Sequence, residues 1–159
     1  HGQALIVRTK YSGVFDEHNY DFLIDSYFKE EFANFQLTDF MFARAKGFHG
    51  PFSINKLNSN SFVIIDAGDF LSFVIEIVIS ERSQTPKISS DIMKRLESFL
   101  NIIIQEDSKT FFLKQNKIRK TSEKYEFDHE WSHALNEFHE FLIFNPSVNE
   151  LFILMLAYD

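Results

Sequence analysis

The sequence predicts one α+β domain over residues 1–159, a mostly antiparallel sheet of about five strands with three or four helices packed on one face. Three observations predict it. Hydrophobic residues make up 45% of the chain and include 20 phenylalanines, enough for one full core at this length. Only five glycines and three prolines leave little room for long loops. Short β-branched runs and segments of three-and-four apolar spacing follow one another, and no apolar stretch approaches the roughly eighteen residues of a membrane helix.

Residues 4–9 form a β-branched run, the first strand, closed by Ser12 and Gly13. Helical periodicity begins near Asn19, where Tyr20, Leu23, Ile24, Tyr27, Phe28 and Phe32 trace a buried face. Asp21, Asp25, Glu30 and Glu31 lie on or beside its wet side. Thr38 and Asp39 can cap a second short helix over 40–46, which Gly47, Gly50 and Pro51 break. His49 reads as a turn residue there, since the glycines are too sparse for a phosphate-binding loop.

The clearest β signal is 61–80, where runs at 62–65 and 70–79 flank Asp66, Ala67, Gly68 and Asp69 and predict an antiparallel hairpin. Turn chemistry accounts for the two aspartates, and a solvent-facing strand position accounts for Glu76, so these carboxylates are not read as metal ligands. Ser89, Ser90 and Asp91 cap a core helix carrying Ile92, Leu96, Phe99 and Ile103. A short strand is expected at 110–113, then a lysine-rich edge or hairpin tip over 114–124. A helix over 128–143, a turn at 145–147 and a buried apolar segment at 151–158, read as a strand from its shortness with a helix as the open alternative, complete the order β-α-α-β-β-α-β-α-β.

Charge separates along the chain. The net charge is −7, yet six of the 16 basic residues and only one of the 23 acidic ones fall between 109 and 124. The densest acidic part, 16–39, sets Asp16, Glu17, Asp21, Asp25, Glu30, Glu31 and Asp39 against Lys29 alone. Such a surface repels nucleic acid and attracts a basic partner. The absence of cysteine excludes disulfides and thiolate metal sites and fits the expected cytoplasmic location. His1 and Gly2 are expected to be an expression-tag remnant.

One stretch carries a catalytic hypothesis. His129, Glu130 and His133 form H-E-x-x-H, a spacing that on a helix lets two imidazoles converge on zinc while the glutamate polarises a bound water. With Asn136 and His139 the run reads H-E-x-x-H-x-x-N-x-x-H and resembles the extended zinc signature of the metzincin metalloproteases. That resemblance implies His129, His133 and His139 as zinc ligands and Glu130 as general base. Against it, Trp131, Ala134, Leu135, Phe138 and Leu142 make one apolar stripe that passes Asn136 without changing phase, as in an unbroken amphipathic helix with its histidines in water.

No cysteine nucleophile, G-x-S-x-G or glycine-rich nucleotide loop is present. The leading expectation is therefore a non-catalytic binding domain without a cofactor: an acidic inhibitor of a basic enzyme, similar in charge and size to bacterial immunity proteins and antitoxins. Asp21, Asp25, Glu30 and Glu31 are the expected contact residues, with no nucleic acid and no membrane among the partners. The small zinc hydrolase is the competing expectation.

Overall fold

The structure, a computed structural model, describes residues 2–11, 16, 19–29, 48–50, 52–79, 88–114 and 137–158. Its elements are β1 (Gly2–Lys10), α1 (Tyr20–Lys29), a small hairpin of β2 (Phe48–His49) and β3 (Phe52–Ser53), β4 (Phe62–Ile65), α2 (Ala67–Ile79), α3 (Ser90–Ile103), β5 (Lys109–Leu113), β6 (Glu137–Asn145) and β7 (Glu150–Tyr158). Five strands form one antiparallel sheet in the order β1-β7-β6-β5-β4. This is the expected α+β class, with three helices among the described residues.

The helices divide between the two faces of the sheet rather than sharing one. On the first face Ile24, Tyr27 and Phe28 of α1 pack on Phe138, Leu142 and Phe144 of β6 and on Leu151, Ile153 and Met155 of β7. On the second, Phe70, Val74 and Ile77 of α2 and Leu100 and Ile103 of α3 meet Phe141, Ile143, Leu154 and Leu156. Alternate residues of one strand therefore enter different cores, as a period of two requires. Each large apolar side chain fully withdrawn from water contributes about 1.5–3 kcal/mol.

Two elements correct the sequence reading. The segment 70–79, expected as a strand, belongs to α2, and β4 finds its partner in β5 with Phe62 opposite Leu113. Asp66 decides the local choice: its side chain accepts from the Asp69 N–H at 2.7 Å and its carbonyl from the Phe70 N–H at 3.0 Å, which caps a helix instead of turning a hairpin. Once helical, Phe70, Val74 and Ile77 fall on the buried side.

The second correction is β6. From 137 onward the predicted 128–143 helix is an extended strand, paired with β7 along all nine residues from Glu137↔Tyr158 to Asn145↔Glu150. Phe138, Phe141, Leu142, Ile143 and Phe144 are all buried, which a helix with one wet face could not achieve. A central strand covered on both faces can, and it reads as a continuous apolar run.

β1, α1, β5 and β7 lie where expected, and Ser89 caps α3 by accepting from the Ile92 N–H at 3.3 Å. Ile92 itself is exposed, so the core face of α3 begins at Leu96. Asn145, inside the turn expected after β6, is buried; its amide donates to the Ile103 carbonyl at 3.0 Å and its Oδ1 accepts from Ser108 at 2.5 Å, closing the end of α3. Arg8 forks onto Glu150 across β1 and β7, with contacts of 3.0 and 2.5 Å. The expected helix at 40–46 and the basic residues after Lys114 lie outside the described residues.

Gly50 turns the β2–β3 hairpin at φ +57°, and a Cβ there would stand 2.8 Å from the Phe138 ring. Gly50→Ala is expected to cost about 2–4 kcal/mol, from left-handed strain together with the clash, and urea unfolding monitored by circular dichroism measures the loss.

Candidate functional site

Three polar side chains meet inside the first core. Glu140 comes from the central strand β6, Tyr27 from α1 and His49 from β2, and none is more than 3% exposed. The Tyr27 hydroxyl donates to Glu140 Oε1 at 2.8 Å, and His49 Nε2 lies 2.5 Å from Oε2. Edges of Tyr27, Phe28 and Phe138 surround the imidazole, with ring centroids 5.8, 5.3 and 6.2 Å away.

An isolated buried carboxylate costs several kcal/mol, and here two partners offset that cost by each occupying one oxygen. Burial first, then the charge of Glu140 and its hydrogen bond, push the Tyr27 phenol well above its ordinary 10.0. With Glu140 and His49 fully buried, a substrate would have to displace the core to reach the carboxylate. The cluster is a tether binding α1 and the β2–β3 hairpin to the sheet.

Sequence reasoning placed these residues separately. Periodicity puts Tyr27 on a buried face, His49 in a turn and Glu140 within the expected 128–143 helix; the structure corrects the last two, placing His49 in β2 and Glu140 in β6. The signal that could have found the pair is the apolar run around Glu140, which is too continuous for a solvated helix face.

The expected zinc ligands are not assembled among the described residues. His139 follows the strand onto the opposite face from Glu140, where its ring stacks on Phe112 at 6.2 Å with an 18° interplanar angle and meets Phe73 edge-on at 6.2 Å. His129, Glu130 and His133 lie outside the described residues, and within these no group of three His, Asp or Glu side chains could hold a metal.

The expected partner-binding carboxylates part company as well. Asp25 is half-buried and accepts from the Ser59 N–H at 2.7 Å, so it joins α1 to the turn before β4. Asp21 is exposed and lines an open groove of about 270 Å³ between α1 and β4, together with Tyr20, Ile24, Ser59, Phe62, Ile64 and Phe111. Glu30 and Glu31 lie outside the described residues. This groove is the candidate binding site: a lining of mixed polar and apolar surface that includes one carboxylate, with the edge of the sheet for a wall. Sequence periodicity placed Asp21 on a wet face but could not show that β4 lies beside it.

No family model matches the sequence, and no curated protein matches it. Two crystal forms of citrus MAF1 are similar in structure, with TM-scores of 0.46 and 0.40 at 9% and 8% identity. Each alignment covers 98% of this chain, and 87% and 88% of the citrus chains respectively. A likeness of this degree carries no functional inference.

Tyr27→Phe is expected to cost about 2 kcal/mol by removing a donor to a buried carboxylate. The phenol is raised in the folded state, so its stabilising contribution is intact below the unfolded value of 10.0 and is lost as pH rises beyond it. Wild-type stability should fall in that alkaline range by about 1.4 kcal/mol per pH unit from this group, and the variant should lose that component of the slope. Urea unfolding from pH 9 to pH 11 measures both.

Proposed function

We propose that the chain is a non-catalytic protein-binding domain for a basic partner, acting as a stoichiometric inhibitor of a basic enzyme in the way immunity proteins and antitoxins do. The observation that carries the reading is the exposed Asp21 carboxylate in the lining of an open groove, part polar and part apolar, against the sheet edge. Apolar contacts there would supply affinity, and the carboxylate would steer and orient a cation. The net charge of −7 and the acid-rich region from Asp16 onward support the same reading, because long-range attraction speeds encounter with a basic protein.

Asp25 leaves the contact set, since its carboxylate is engaged with Ser59. The His49–Glu140 pair supports a non-catalytic role: its imidazole and carboxylate are used inside the core, where they bond one another. No helix among the described residues is long and apolar enough to cross a membrane. A cytoplasmic setting belongs to this proposal and rests on the cysteine-free composition.

Titration against a panel of purified basic proteins that includes cationic nucleases tests the reading. One-to-one inhibition of at least one is expected, weakening with salt and at least tenfold in the double variant Asp16→Lys, Asp21→Lys. Binding that ignores both salt and charge reversal overturns it. So does peptide hydrolysis that is lost on chelation and in His133→Ala.

A further inference from the structure

The two edges of the sheet are protected very differently. β1 displays Arg8 and Lys10 in water, the usual way of blocking an unwanted added strand, whereas β4 is Phe62, Val63, Ile64 and Ile65 with neither charge nor proline. Ile64 is 59% exposed, and among the described residues no strand lies on the outer side of β4.

The hydrogen-bond phase of this edge follows from its neighbour. The Lys114 N–H donates to the Ser61 carbonyl at 3.1 Å, so Ser61 and Lys114 form a hydrogen-bonded pair. In an antiparallel ladder such pairs alternate, which makes Val63↔Phe112 bonded and leaves Phe62 and Ile64 with their backbone groups turned away from β5. The Phe62 N–H is used by the Ser59 carbonyl. The Phe62 carbonyl and both backbone groups of Ile64 therefore face outward, beside the groove that the Ile64 side chain helps to line.

We infer that β4 accepts an extended segment of a basic partner as a sixth strand, paired to Ile64, with alternate side chains of that segment entering the groove beneath α1. The inference deepens the proposed binding role and rests on it. Charge selects the occupant. Asp21 lines the groove with no cation against it among the described residues, and Asp66 and Asp69 stand exposed just beyond the end of β4. A second copy of the chain would instead bring like carboxylates and a further −7 of net charge to the same edge.

A seven-residue peptide of alternating lysine and valine, blocked at both ends, serves as the probe with isotope-labelled full chain. Amide exchange at Ile64 is expected to slow at least tenfold at saturation. The alternating glutamate and valine peptide should bind at least tenfold more weakly, and Asp21→Asn should remove most of that preference. Methylating the peptide backbone nitrogens that would face β4 should weaken binding tenfold or more. Ile64→Pro, which removes the outward N–H at an edge position, should do the same in a variant whose circular dichroism is unchanged.

Protection of the Ile64 amide in the peptide-free protein would show the edge already occupied and overturn the inference, and self-association lost in Ile64→Pro would show that a second copy occupies it. Equal binding of the methylated peptide overturns it as well. A basic protein held through Asp21 but indifferent to Ile64→Pro would overturn strand addition and leave the proposed function standing; a basic protein indifferent to both changes would remove both.

Discussion

A single carboxylate in the middle of the sheet constrains the arrangement of the first core. Glu140 is fully buried on β6, and its two oxygens must be matched by Tyr27 and His49, which lie 113 and 91 residues away along the chain. Meeting that requirement brings α1 onto the sheet and brings the β2–β3 hairpin beneath it. It also opposes slippage of β6, because a shift of one residue would carry Glu140 into the apolar core under α2 and α3. The cluster specifies position more than it adds stability, since a well-packed apolar replacement of all its members would come close in energy.

Covering the sheet on both faces has a second consequence. β6 and β7 are buried at nearly every position, so their sequences lose the alternation that marks a half-exposed strand. The sheet's contact with water is concentrated at its two edges, and the chain treats these unequally. Cationic side chains guard β1, while β4 pairs inward with β5 and is left short, apolar and flanked by the groove under α1. Asp25 fixes that groove by holding the turn before β4 to α1, and Asp21, one helical turn earlier, remains at its rim. A position in the fold thus separates two acids that look alike in the sequence.

Local signals were enough for several elements by themselves. The β-branched run of β1, the three-and-four spacing of α1 and the serine cap of α3 each carry a local pattern that needs no distant partner, while β5 and β7 are marked only by the shortness of their apolar runs. Composition and periodicity likewise determined the α+β class and supplied enough apolar side chains for a core on each face of the sheet. Asp21 was legible as exposed for the same reason: its neighbours in the helix define which side is wet.

Tertiary structure alone decided the rest. Segment 70–79 is apolar at all but Ser72 and Glu76, so no period can be read there, and packing of Phe70, Val74 and Ile77 on the second face, with the local Asp66 cap, made it a helix. In 137–145 cover from both sides buries Glu140 and Asn145 along with the apolar residues and made it a central strand. The cluster of Tyr27, His49 and Glu140 was invisible for a related reason. Each residue has an ordinary local explanation, and only long-range packing brings an imidazole, a phenol and a carboxylate into a space closed to water, where they must satisfy one another. The groove at β4 belongs to the same class, since an edge is a property of strand order, and strand order is fixed by contacts that the linear sequence does not display.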